Sequence, residues 1–168
     1  FSPGGTSLAP DSMYHSAAAS DNIVSVSGIS HFSETQLEKK LSGKYVYASP
    51  YINKEYQGIR ASCSVEDFET MLQLVYLYFT SPRKDSAAFK AYIEKMIADR
   101  KTSMESPYQA FSDTIKTVTG SRHFRAMPWE IEDYKNIDLD EAVQFYKERF
   151  ADANDFTFII VGNFDRQK

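Results

Sequence analysis

The side chains best equipped for metal binding or nucleophilic attack are few: His15, His31 and His123, with a single cysteine, Cys63. A zinc-hydrolase site needs two imidazoles about one helical turn apart plus a carboxylate. No two of these histidines stand at that spacing. His15 reads as a surface or interface residue near a helix start, one turn after Asp11 and able to pair with it. His123 lies in a loop with Arg122 and Arg125, where contact with a substrate or a neighbouring domain is one reading and a solvated loop the plainer one. Cys63 has no base in view to activate it, so it reads as a small buried hydrophobe on a strand. The expectation is therefore of no catalytic residue, no metal ligand, and no assigned substrate-binding residue.

Two further short motifs carry no chemistry here. Ser81-Pro82-Arg83-Lys84 fits Ser-x-x-Lys and Ser20-Asp21-Asn22 fits Ser-Asp-Asn, elements of penicillin-recognising serine enzymes. Their order is reversed, and Lys116-Thr117-Val118-Thr119-Gly120 is not the third element; Ser81-Pro82 is explained as a helix end. SPGGTS (2–7) shares only its glycines with phosphate-cradling loops and lacks the Gly-Lys-Ser/Thr ending.

The whole-chain totals narrow the class. The chain has 168 residues, 42% of them hydrophobic, including 12 Phe and 11 Tyr, which is enough for a real core and excludes a disordered chain. A formal net charge of −4 without a basic run argues against nucleic acid or an anionic membrane as partner. No run approaches the roughly 18 apolar residues of a membrane span. One cysteine says nothing decisive about compartment.

The elements that position these residues can be read from punctuation and period. Residues 1–10 are rich in Gly, Pro and Ser and read as a loop. Asp11 then opens a helix to about Ser27, ended by Gly28. Ser33 with Gln36 forms a capping box for a short helix to Leu41. KYVYASPYI (44–52) and EYQGIRASCS (55–64) read as paired antiparallel strands around Asn53-Lys54. Ser64 with Asp67 caps a helix carrying Phe68, Met71, Leu72, Leu74, Val75, Leu77 and Tyr78. It is apolar over most of its circumference, which predicts deep burial against the sheet.

Further helices are expected over about 85–104 and 106–118, with a short one from Pro128-Trp129. Another should run from a capping box at Asp138 and Glu141 to Phe150. DFTFIIVG (155–162) reads as a core strand. Segregated strands and helices give an α+β class, an antiparallel sheet covered on one face by helices. Three strands are few for so many helices, which predicts one or two further strands ahead of Phe1 in a parent protein.

From about Ser27 to Asp165 the chain resembles a repeat of the M16 (pitrilysin/insulinase-like) zinc metallopeptidases. Gly28 followed by His31-Phe32-Ser33 resembles their Gly-Thr-x-x-Phe-Pro stretch, and SRHFRAMP resembles their His-Pro-Tyr-Gly-x-Pro loop through His123 and Pro128. FYKERFADANDFTFIIVGNFD (145–165) is the strongest match, ending in Val161-Gly162-Asn163-Phe164-Asp165. The resemblance implies a metallopeptidase M16/LuxS-like fold, with residues 1–168 forming one repeat of a multi-repeat protein whose two halves close around a peptide.

In the family, the catalytic half carries His-x-x-Glu-His and a distal Glu. Counted back from His31-Phe32, those five positions fall here on Ala19, Ser20, Asp21, Asn22 and Ile23, which supply no imidazole. The resemblance thus implies a degenerate, non-catalytic repeat, the first of the C-terminal half, inactive alone and forming one wall of the chamber. SPGGTS, just before the helix that holds the metal motif in active repeats, is then a candidate lining of that chamber.

No cofactor is expected in this segment, with zinc in the parent's catalytic half. The expected partners are that half of the same polypeptide and a peptide substrate, with bacterial periplasmic placement. The alternative is a structural M16-like scaffold subunit with no peptidase activity in its parent. Tyr45 and Tyr47 share a strand face, in an aromatic stripe that continues with Tyr51 and Tyr56. The expectation is that they pack beneath helices; the family alternative is a sheet edge bordering the cavity, where an extended peptide can add as a strand.

Overall fold

Alternation in period two makes a hairpin of β2 (Val46–Ile52) and β3 (Tyr56–Cys63). They pair antiparallel from Val46↔Cys63 to Ile52↔Gln57. The Asn53 N–H donates to the Tyr56 carbonyl at 2.7 Å and closes the turn. Val46, Ala48, Ile52 and Ile59 turn one face toward the core. Tyr45 and Tyr47 lie on the opposite face and are exposed, so the expectation that they pack beneath helices is wrong. Tyr51 instead carries the Arg60 guanidinium 4.9 Å above its ring, a cation–π contact across the strand pair.

The computed structural model describes residues 1–163. Around the hairpin stand α1 (Tyr14–Ser27), α2 (Glu34–Leu41), α3 (Phe68–Thr80), α4 (Ser86–Met104), α5 (Pro107–Thr119), α6 (Ile131–Lys135) and α7 (Leu139–Arg149). The third strand is β1 (Ser2–Pro3), and the sheet order is β1-β3-β2. The α+β class with an antiparallel sheet is as expected. Among the described residues no helix is long and apolar enough to cross a membrane.

The N-terminal stretch read as a loop in fact supplies β1 and a 3-10 turn at Gly5–Leu8. It docks on the hairpin end: Thr6 N–H donates to Asn53 O and Ser7 N–H to Lys54 O, both at 2.8 Å. Gly5 has φ +60°, and a Cβ there would stand 2.2 Å from the Asn53 carbonyl oxygen. Close-packed backbone, and not a ligand loop, accounts for its glycine.

The other reversal lies at the far end. Residues 156–161 form no strand, although their apolar pattern predicts one. A strand needs a backbone partner in another segment. Phe156 N–H bonds back to Ala153 O at 3.1 Å, and among the described residues Thr157 alone of this run reaches across, its N–H and C=O bonding Phe1 at 2.8 and 2.9 Å. Phe158, Ile159, Ile160 and Val161 are left exposed. Phe164 and Asp165, the end of the family-like segment, lie outside the described residues.

Two cores hold the layers together. Ala17, Val24, Leu74, Tyr78, Phe145, Tyr146 and Phe150 pack between sheet and helices. Tyr146 stacks on Phe150 at 4.4 Å and donates its hydroxyl to the Tyr78 carbonyl at 3.1 Å. The second core joins Ala19 and Ile23 of α1 to Ile137, Leu139, Ala142 and Val143. α3 is less buried than its composition predicts: Met71, Leu74 and Tyr78 are covered, while Leu72 and Tyr76 are exposed.

Candidate functional site

The five positions aligned with the zinc motif occupy the middle of α1, whose turns orient Ala19 and Ile23 to one side because residues four apart share a helix face. That side is filled by Ala142 and Val143 of α7, and Ile23 is fully buried. Ser20 is buried too and donates its hydroxyl to the Ala17 carbonyl at 2.7 Å. No lone pair faces a common point. Among the described residues no group of three or more His, Cys, Asp or Glu side chains could hold a metal ion. Alanine and isoleucine at the two imidazole positions offer zinc no ligand.

Asp21 has a different task. Its carboxylate accepts the Ile52 N–H at 3.0 Å and the Asn22 N–H at 2.7 Å, tying α1 to the end of β2. Burial raises its pKa above the usual carboxylate value, against the opposing pull of those hydrogen bonds. Burial likewise pushes the Tyr92 phenol up to about 12, with the Asp21 charge adding to it. These are perturbed groups inside a packed interface, and they make no constellation for catalysis.

The three histidines are scattered. His15 approaches Asp133 at 3.6 Å and packs edge-on against Trp129 at 5.0 Å. Its expected partner, Asp11, is instead taken by Arg125, whose Nε donates to it at 3.0 Å. The planar guanidinium also donates to the Thr6 and Ala9 carbonyls at 3.0 and 2.7 Å, which a point charge could not do. Arg125 thereby straps the N-terminal segment to the 121–127 loop. His123 accepts the Arg125 N–H and caps a 3-10 turn. His31 contacts Ser30 and Phe32. Near it, Gly28 adopts φ +85°, where a Cβ would meet the Phe32 carbonyl oxygen at 2.2 Å.

The capping box expected at Asp138 is half-formed. Asp138 accepts the Asp140 and Glu141 N–H groups at 2.8 and 2.9 Å. Glu141 instead accepts the Ser16 hydroxyl at 2.9 Å, and Ser16 accepts the Asp138 N–H at 3.0 Å. α1 and α7 are thus cross-tied through a buried serine, which no local motif announces.

Concavity appears elsewhere. A cavity of about 410 Å³ opens between β3, α3 and residues 156–163, lined by Ile59, Cys63, Met71, Leu72, Val75 and Phe79 among others. Cys63 is half-buried at its wall and not enclosed in the core. The walls are mainly hydrocarbon and aromatic, with Ser62, Ser64, Thr157 and Asn163 as polar exceptions. Among the described residues no histidine or carboxylate lines it beside the Cys63 thiol.

No protein-family description matches the sequence, and no curated protein matches it significantly. Solved structures do match. The periplasmic protease PqqL from Escherichia coli superposes with a TM-score of 0.77 over 99% of this chain, at 20% identity. The fold is M16-like. The ferredoxin protease FusC, solved as a point mutant in complex with Arabidopsis ferredoxin, superposes with a TM-score of 0.66 over 89% of the chain, at 15% identity. The chain spans 18% of the length of the first and 16% of the second.

Proposed function

We propose that this chain is a non-catalytic repeat of a larger zinc-dependent endopeptidase, forming one wall of the chamber that encloses the peptide. The observation that carries this reading is the hydrocarbon packing of Ala19 and Ile23 against α7, where an active repeat would present imidazoles. Likeness of fold to two proteases supports the setting, and the description of one of them as periplasmic supports placement in that compartment. In this reading, zinc and general base belong to the other half of the parent. The repeat contributes binding energy that is realised only when the halves close over the peptide. The sheet face bearing Tyr45, Tyr47 and Arg60 is exposed and suited to contact.

The isolated chain is expected to bind no stoichiometric zinc and to hydrolyse no peptide. Hydrolysis abolished by a chelator would overturn the reading. In the parent polypeptide a His-x-x-Glu-His motif is expected elsewhere. Its absence would refute the peptidase assignment and leave a structural scaffold subunit.

A further inference from the structure

Helix α5 sits in the fold with its two faces reversed. Its half-buried side, formed by Gln109, Ser112, Asp113 and Thr117, is polar. That side is fastened to α4 by charge: Arg100 donates to Asp113 at 2.6 Å, and Gln109 donates to the same carboxylate at 2.7 Å. The other side carries Tyr108, Phe111, Ile115 and Val118, all exposed. Their steps of three, four and three residues keep them on one helix face. None of the 13 residues of α5 is buried, and none belongs to either apolar core. An amphipathic helix ordinarily turns its apolar stripe inward. Here the stripe is turned out.

The exposed area is substantial. Tyr108 and Phe111 are 79% and 64% exposed, and Met104, which ends α4 four residues ahead of Tyr108, is exposed as well. With about 150–250 Å² on each aromatic side chain, the stripe and Met104 together offer roughly 600 Å². Covering that area on two copies removes about 1,200 Å² from water, the lower bound for a specific interface.

The stripe also complements itself. Three-four spacing is the seam of a two-helix coiled coil. Two copies of α5 can lie antiparallel about a twofold axis level with Asp113. Phe111 then meets Ile115 of the second copy and Tyr108 meets its Val118, an aromatic ring against an aliphatic side chain in every layer. Beside the seam stand Ser112, Thr114 and Thr119, which bring no like charges together. Glu105 and Arg122 are exposed at opposite ends of α5, and antiparallel pairing sets each near its opposite charge. A parallel pair would set like beside like. A membrane surface suits this helix less well, because interfacial helices carry Lys and Arg along the polar face and α5 has Lys116 alone.

We infer that α5 is a self-association face, at which two copies of this chain pair antiparallel through Tyr108, Phe111, Ile115 and Val118. An interface of this size is weak, with a dissociation constant on the order of 10–100 µM. The pairing asks nothing of the chamber reading, and its failure would leave that reading where it stands.

Sedimentation equilibrium from about 5 µM to 1 mM should show the monomer passing into a dimer. Phe111→Glu with Ile115→Glu, both at exposed positions, should stay monomeric over the same range with an unchanged melting midpoint. Disulfide trapping in a Cys63→Ser background reads the geometry. Tyr108→Cys combined with Val118→Cys should give a covalent dimer on mild oxidation, and neither single substitution should. The two positions are about 15 Å apart along one helix, too far to bridge within a copy. A chain still monomeric at the top of the concentration range overturns the inference; if that monomer pellets with phosphatidylglycerol vesicles, α5 is a membrane face instead. A dimer that survives the double glutamate substitution overturns it too, and trapping by a single cysteine overturns the antiparallel arrangement. Should the glutamates unfold the chain, the cysteine trap alone decides.

Discussion

Ile23 and Ile159 are the same side chain in opposite circumstances. Ile23 is fully buried between α1 and α7, whereas Ile159 is 71% exposed beside an open slot. Both belong to runs whose pattern predicts burial. The difference lies in the backbone. A helix satisfies its own N–H and C=O groups, so α1 needs only a surface to lie on. The 156–161 run needs a neighbour's backbone before its side chains can be held against α3. Hydrophobicity proposes burial, and hydrogen bonding decides whether it happens.

That contrast can be broken most forcefully on its packed side. Replacing Ala19 and Ile23 together by His restores the two imidazole positions; it should cost about 1–3 kcal/mol at Ala19 through overpacking, and about 1–3 kcal/mol at fully buried Ile23 through burial of unpartnered ring nitrogens. Such a variant should acquire no zinc. Metal analysis and chemical denaturation check both, and a stable, zinc-loaded variant would show the α1–α7 interface to be open after all.

Next in size, Ile23→Ala should cost about 2–5 kcal/mol, while Ile159→Ala should change stability by no more than about 0.5 kcal/mol. Equal costs in urea titrations would erase the distinction between the two regions.

A smaller loss is expected where α4 meets α5. Buried Arg100 donates to Asp113 at 2.6 Å and to Glu130 at 3.0 Å. Asp113→Ala should cost about 1.5–3 kcal/mol, the range for hydrogen bonds to charged groups. Burial raises the Asp113 pKa, but hydrogen bonds from Arg100 and Gln109 outweigh it and leave the carboxyl below its ordinary 3.8. Its contribution is therefore complete above that value and disappears as pH falls through the lower folded one. Acid titration of wild type against Asp113→Ala should show the two curves converging.

The smallest effect should come from Asp21, with the opposite sign. Its folded pKa is raised, so the folded state holds the proton more tightly and stability declines as pH rises from 3.8 through the folded value. Asp21→Asn removes that decline while its amide oxygen still accepts the Ile52 N–H. The variant should gain on wild type as pH goes from acid to neutral; parallel curves would show that burial does not penalise this carboxylate.

Much of the fold could be read in the residues because its signals are local. The Ser33–Gln36 box forms as written, with both reciprocal bonds present. The hairpin follows from period two, and Gly28 ends α1 in a conformation a Cβ would obstruct. The Asp138–Glu141 box formed only in part because Ser16, distant in sequence, offered Glu141 a better partner. Arg125 could be seen as a loop arginine, but its grip on Thr6, Ala9 and Asp11 joins segments more than a hundred residues apart. No spacing rule reaches so far.

The residue types alone deny an imidazole pair to positions 19 and 23 of α1, since alanine and isoleucine have no lone pair to donate wherever the helix is placed. They dictate the helices too, whose hydrogen bonds close within a few residues. That Ser2–Pro3 is the third strand, and that Phe158–Val161 is not one, emerges only when the chain is folded. Strand pairing is a contract between distant backbones, and side-chain pattern states a preference for it without supplying the partner.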